Sequence, residues 1–305
     1  MTASLASAIT KASSAQAYYT IRFLVDRPRV EDAYRAYAYF RWVDDVLDGN
    51  ALRLERQLFL ERQKSLLDRC LAGDPPADAD PHEAMLVALV RRADLVDREL
   101  ETYLRQMMRV MEFDVRRRGY LVSRAELDEY TRRLAVAVTE ALHHFMGNGA
   151  ATPHDETRYM AVTGAHILHM LRDTYPDVRA GYFNIPQEFL EANSIGPADI
   201  QATAYRAWVA SRVKLARACL DQGKTYYERV ENRRHRVAGL AYMARFDWLS
   251  DTLEREDFRL RPQYDERRSL ATGLRMTWTP IASLVGLGGR GTAVKASGAP
   301  RGGRT

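Results

Sequence analysis

The chain reads as all-α, one helical bundle around a central cavity, and three observations predict it. Apolar residues recur at helical spacing from Ala15 to about residue 284, with no alternating strand series and no internal repeat. Hydrophobic residues make up 46% of the 305 positions, enough for a substantial core. Two aspartate pairs, Asp44/Asp48 and Asp173/Asp177, are each spaced by four in apolar, aromatic stretches. Acids placed on such helices imply a lined cavity rather than a solvated surface turn.

Residues 1–14 are small and acid-poor and are expected to be a flexible, frayed N-terminus. A helix starts at Ala15 and breaks at Asp26-Arg27-Pro28-Arg29. Pro28 is placed to open the next helix, which runs through Asp48 and ends at Gly49-Asn50. A third helix covers about 51–71, and the Gly-, Pro- and Asp-rich stretch 72–81 is a loop. Helices follow near 82–92 and 94–118, the latter closed by Gly119. Ser123 with Glu126 is a capping box for a helix to Met146. Thr152-Pro153 is expected to cap the helix carrying the second acid pair, which Pro176 interrupts. The stretch 181–186 is extended, Pro197 opens another helix, and helical patterns continue to about Glu256 and again over 266–284. One helical domain, 15–286, is therefore expected, followed by a disordered, basic, Gly-rich tail over 287–305.

Composition narrows the partners. The tail holds Arg290, Lys295, Arg301 and Arg304 and no acid, so of the net +5 only +1 belongs to the rest of the chain. A nearly neutral body gives no reason to expect nucleic acid. Cys70 and Cys219 form no CxxC, which argues against a disulfide framework or zinc–thiolate site and fits a reducing, cytoplasmic setting. No run of 18 apolar residues predicts a membrane span. The apolar run 276–287 is short enough to dip into a membrane surface as a peripheral contact, although packing back on the bundle is the expected state. No motif sets the oligomeric state.

The chemistry concentrates in two stretches. The first is Tyr37-Ala38-Tyr39-Phe40-Arg41-Trp42-Val43-Asp44-Asp45-Val46-Leu47-Asp48. On a helix, Asp44 and Asp48 stack about 6 Å apart, with Arg41 and Tyr37 continuing the same face and Asp45 off to the side. The carboxylates repel by a few tenths of a kcal/mol, which a cation between them relieves. The second stretch, Leu171-Arg172-Asp173-Thr174-Tyr175-Pro176-Asp177, repeats the spacing with Arg172 beside it. Magnesium prefers such oxygen ligands and bridges them to substrate phosphates.

These residues resemble the squalene/phytoene synthase family over about 15–275. Residues 37–48 look like its first aspartate-rich motif, and residues 171–177 with Gly181 and Pro186 look like its second. Met111-Glu112-Phe113-Asp114 with Tyr120 and Tyr130 is similar to the segment leading to its central helix. The resemblance implies a helical fold with a central tunnel and a prenyltransferase that ionises allylic prenyl diphosphates and condenses two of them. It implies three magnesium ions bridging diphosphate to Asp44, Asp48, Asp173 and Asp177, and leaves the need for NADPH open. Arg41 and Arg172 would add charge-assisted hydrogen bonds, and Tyr37 and Tyr130 match family tyrosines near the reacting groups.

The chain also departs from that pattern. The family's Ser-Lys/Arg-Ser-Phe start is Ala15-Gln16-Ala17-Tyr18 here. Its glutamine and asparagine before the second motif are His166 and His169, its arginine and tyrosine before the proline are Tyr182 and Asn184, and a late tyrosine is Phe246. Tyr18, His166, His169, Tyr182 and Phe246 are thus the expected substrate-binding replacements. Val136 and Thr139 stand where the family has glycines, which would narrow the tunnel. The two histidines share a helix face with Asp173, but a cavity-lining role is expected of them rather than a transition-metal site. Missing diphosphate ligands keep two alternatives open: a terpene-synthase-like lyase acting on one diphosphate, and a catalytically silent relative that binds lipid or a partner.

Overall fold

The structure, a computed structural model, describes residues 2–49, 52–92, 97–147 and 149–264. The expectations for 266–284, for the apolar run 276–287 and for the tail fall outside the described residues. Among those described, twelve α-helices and two short 3-10 turns account for the regular structure, with no strand. No helix among them is long and apolar enough to cross a membrane.

Residues 2–14 overturn the expectation of a frayed end. They form α1 (Thr2–Ser13), on which Ala6 and Thr10 are fully buried. Its small residues let it lie close against α3 (Val30–Asp48), so a stretch without bulky apolar side chains is still held by tertiary packing. Ser14 then caps α2 (Ala15–Leu24), its hydroxyl accepting from the Ala17 amide at 3.1 Å. Pro28 sits in a 3-10 turn, Arg27–Arg29, that feeds α3. Next come α4 (Arg53–Leu71), α5 (Glu83–Arg92), α6 (Arg98–Arg117) and α7 (Arg124–Met146). The Ser123–Glu126 capping box forms at the start of α7, as its spacing predicts.

Three later boundaries differ from expectation. Thr152 does not cap the helix of the second acid pair. Asp155 caps a 3-10 turn, Glu156–Tyr159, that leads into α8 (Met160–Arg172), while the Thr152 hydroxyl accepts from Arg158 at 2.7 Å. The break attributed to Pro176 falls three residues earlier, at Asp173, which ends α8 and starts α9 (Thr174–Ala180). Pro176 has no N–H for the Arg172 carbonyl, so the helix yields one turn before the ring. Pro197 lies in a turn rather than at a helix start: the Asp199 carboxylate accepts from the Gly196 amide at 2.7 Å. The short α10 (Gln187–Ala192) precedes that turn, and the long α11 (Thr203–Glu228) and α12 (Arg233–Arg255) follow it.

Two apolar clusters fill the bundle. One gathers α1, α3, α4 and α5 with residues such as Tyr39, Leu67 and Leu86. The other gathers α8, α11 and α12 with residues such as Leu168, Val213 and Met243. Helices α6 and α7 contribute to both and form the partition on which the halves meet.

Close approach of α8 and α11 depends on missing side chains. A β-carbon added at Gly223 would lie 2.7 Å from the backbone of Ala161. Gly223→Ala is therefore expected to lower stability by about 1–3 kcal/mol, read as a fall in Tm, because rigid backbone must move apart. An unchanged or raised Tm would show that the helices separate freely.

Candidate active site

A cavity of about 720 Å³ opens between α2, α3, α6, α7, α8 and α12. Its deep wall is apolar, with Val25, Phe40, Met107, Met111, Phe145 and Met146. Its charged and hydrogen-bonding lining includes Arg41 and Asp44 from α3, Asp114 from α6, Tyr130 from α7, His169 and Arg172 from α8, and Arg245 from α12. Tyr37 also lines it. That is the ordinary size and make-up of a small-molecule site: an apolar body with a few convergent polar groups.

The two acid pairs meet through the loop after α9. Gly181, at φ +86°, turns the chain there, a backbone state that side chains disfavour. The Gly119 amide donates to the Gly181 carbonyl at 2.8 Å, tying this turn to the end of α6. Tyr182 then donates its hydroxyl to Asp48 at 3.1 Å, and Asn184 donates its amide to Asp177 at 2.7 Å. Arg117 donates to the Asn184 oxygen at 2.7 Å and, through Nε, to Asp114 at 2.7 Å. Tyr130 donates to the other Asp114 oxygen at 3.2 Å, and the Arg117 guanidinium lies 4.6 Å over the Tyr130 ring. One hydrogen-bonded chain thus runs from Asp177 to Tyr130.

The arginines predicted beside each acid pair bond to them. Arg41 donates to Asp44 at 3.2 Å and also pairs with Asp45. Arg172 donates through Nε to Asp173 at 2.6 Å. Burial lifts the Asp44 carboxyl to about 6, with Asp48 adding to the push and Arg41 opposing it. Burial lifts Asp177 to about 7, with Asp173 adding and Arg117 and Asn184 opposing. Asp114 is raised too, first by burial, against the pull of Arg117 and Tyr130. This is a concentration of negative charge that the protein itself does not fully neutralise.

The donors are hard carboxylate oxygens, the set magnesium prefers. Among the described residues, no three of His, Cys, Asp or Glu group closely enough to hold a metal alone. Paired carboxylates of this kind suit an ion whose remaining positions are filled by water and substrate oxygens.

Several expected substrate contacts are relocated. Tyr18 does not line the cavity; its ring stacks on Tyr34 at 5.4 Å, with Lys11 5.5 Å over it. His166 also lies outside the lining, buried with its ring edge 5.1 Å from Tyr130, and burial drives its pKa down to about 3, so it stays neutral. His169 does line the cavity and packs on Phe246 at 4.9 Å, which makes Phe246 a support behind it rather than a wall residue. Val136 and Thr139 are buried but do not line the cavity, so they do not narrow it; Leu134, Val138, Ala141 and Leu142 supply that face of α7.

The sequence reading assigned no role to Asp114, Arg117 or Arg245. Arg117 and Asp114 are an i,i+3 pair, a spacing that marks ion pairs on any helix. Arg245 carries no motif at all. It donates to Gln16 at 2.9 Å and lies 4.7 Å over the Phe246 ring, bringing a third guanidinium to the cavity. Ser14 and Thr20 also face the cavity, so hydroxyls absent at Ala15 and Ala17 stand nearby on the same segment.

An all-helical bundle with facing aspartate pairs over an apolar chamber is the layout of the helical isoprenoid-synthase fold. The chain belongs to the squalene/phytoene synthase family, whose model matches residues 10–274. It is 26% identical over 192 residues to a presqualene diphosphate synthase from Rhodopseudomonas palustris. That match covers 61% of this chain and 64% of the relative's length. Among solved structures, squalene synthase HpnC from Alicyclobacillus acidocaldarius shares the fold at TM-score 0.68 and 19% identity, over 85% of this chain and 95% of that one. A dehydrosqualene synthase solved in complex with ligand also gives TM-score 0.68, at 16% identity, over 94% of this chain and 96% of that one.

Asn184→Leu removes the link between Asp177 and Arg117. A hydrogen bond to a charged group is worth about 1.5–3 kcal/mol, so under the function proposed below kcat/KM on a prenyl diphosphate is expected to fall about 10- to 100-fold. Steady-state kinetics check it, and unchanged kinetics would reduce Asn184 to a passive loop residue.

Proposed function

We propose that the protein is a magnesium-dependent transferase that ionises allylic prenyl diphosphates and condenses two of them into a terpenoid or carotenoid precursor. The observation that carries this reading is the convergence of both acid pairs, joined through Tyr182 and Asn184, beside an apolar cavity of about 720 Å³. Asp44, Asp48, Asp173 and Asp177 would hold the magnesium, which when bound supplies Lewis-acid neutralisation of the departing diphosphate.

The chain's own residues do the rest. Arg41 and Arg172 hold their aspartates and would stand beside a diphosphate brought there by magnesium, to which guanidinium groups donate strong paired bonds. Arg245 adds positive charge from α12. Arg117, pinned between Asp114 and Asn184, fixes the second acid pair relative to α6. The rings of Tyr37, Phe40 and Tyr130 line the chamber. Their faces suit an allylic cation, and the apolar wall keeps water from quenching it.

Tyr182 and Asn184 bear on the one-substrate alternative. They replace an expected arginine and tyrosine, but they bond to the acids instead of leaving empty positions. The departures at Tyr182 and Asn184 are therefore occupied in holding the acids and are not simple losses. Incubation with prenyl diphosphates of several lengths, with and without magnesium, and mass spectrometry of the products tests the reading. Dimeric products that require magnesium are expected. Single-unit hydrocarbons or alcohols alone, or no turnover of any substrate, would overturn it.

A further inference from the structure

Helix α2 is a single-helix wall between the cavity and the outside. Ala17, Thr20 and Ile21 line the cavity. Tyr19 and Phe23 point away from it, 52% and 69% exposed, with rings stacked 6.2 Å apart. Scattered exposed apolar residues are normal, but two large rings stacked one turn apart form a patch.

The charges on this N-terminal segment have one sign. Lys11, Arg22 and Arg27 are all exposed, and no acid occurs before Asp26. Asp26 itself is buried and faces Arg234 at 3.6 Å. The Lys11 ammonium lies 5.5 Å over Tyr18, whose ring meets Tyr19 edge-on at 5.3 Å, so cation and aromatics form one surface.

We propose that α2 docks on an anionic lipid bilayer, with Tyr19 and Phe23 entering the acyl boundary and Lys11, Arg22 and Arg27 meeting lipid phosphates. Exposed aromatics on a helix whose own segment carries only exposed cations are the signature of an interfacial helix, and that charge complements anionic headgroups. A larger exposed apolar group, Leu52, Leu54 and Leu58 on and beside α4, fails that criterion, because exposed Glu55 and Glu61 interrupt it. The docking stands apart from the reading of function above. On that reading it gains a use: an apolar product leaves through the α2 side into lipid instead of water.

The test is co-sedimentation of the full chain with vesicles of phosphatidylcholine alone and of phosphatidylcholine mixed with phosphatidylglycerol. Binding only to the mixed vesicles, weakened by salt, is expected. Tyr19→Ser/Phe23→Ser should weaken it about tenfold or more, the scale set by losing one buried aromatic side chain. Leu54→Ser/Leu58→Ser should leave it unchanged. Phe23→Trp, a conservative change at an exposed site, should bind at least as well and shift its emission to the blue on adding mixed vesicles. No binding to mixed vesicles, no loss in the Tyr19→Ser/Phe23→Ser protein, or loss in the α4 variant would each overturn the proposal. A dimer seen by analytical ultracentrifugation that this variant dissolves, with vesicles ignored, would assign the face to a second copy of the chain.

Discussion

Asp44→Asn and Asp177→Asn, made singly, are expected on the proposed function to lower turnover of a prenyl diphosphate by about 10³-fold or more, since the metal neutralisation proposed for the leaving group is worth several kcal/mol. The same substitutions should stabilise the metal-free protein. Folding raises both carboxyls, to about 6 and about 7, so the folded state binds protons more tightly than the unfolded chain. Stability is therefore lost as pH rises from about 4, the ordinary carboxyl value, through these raised values, and the deficit is fully present above pH 7. Removing either carboxylate should then raise stability at pH 8 by about 1 kcal/mol, a figure kept small because both groups are partly open to water, and change it little near pH 4. Denaturant unfolding at the two pH values, paired with turnover assays, reads both effects. Full activity in either variant under saturating magnesium would sink the assignment of these acids. A variant no more stable at pH 8 than wild type would remove the charge-repulsion account.

Glu140→Ala should be the most destabilising of these changes, by about 3–5 kcal/mol. Arg158, on the turn before α8, is fully buried and donates to both Glu140 oxygens, at 2.9 and 2.7 Å. Tyr159 donates to the same carboxylate at 2.8 Å, and the Tyr226 hydroxyl accepts from Arg158 at 3.2 Å. Losing the carboxylate strands a buried guanidinium with no counter-charge, which costs far more than the pair contributes. Equilibrium denaturation checks it. A loss under about 1 kcal/mol would mean that water reaches Arg158.

The helices with strong local signals were legible in the sequence. Ser123–Glu126 is a local hydrogen-bonded device that any context preserves, and the Asp44/Asp48 spacing sets a shared helix face by geometry alone. Other features depended on what packs against them. Nothing local distinguishes α1 from a frayed end, because its stability comes from α3 rather than from its own residues. The cavity-facing side of α7 was misjudged by one or two positions, at Val136 and Thr139. The second half of that helix, 133–146, has no exposed residue, so periodicity alone does not show which side looks into the cavity. The bond from Arg117 to Asn184 joins residues 67 apart through a loop, and no spacing rule reaches that far. Tyr182 and Asn184 read as losses when each was compared with one expected side chain. Their partners, Asp48 and Asp177, appear only once the Gly181 turn is folded.

The partition formed by α6 and α7 has a thermodynamic consequence. Each apolar cluster borrows part of its surface from this pair, and the cavity draws its lining from both sides: Phe40 and Met111 from one cluster, Val110 and Tyr130 from the other. A molecule that fills the chamber therefore recognises only chains in which both halves are packed. Its binding energy adds to global stability as RT ln(1 + [L]/Kd), and it couples the opening of one half to the opening of the other. In hydrogen-exchange terms, occupancy should convert partial openings on either side of the partition into a single cooperative unit.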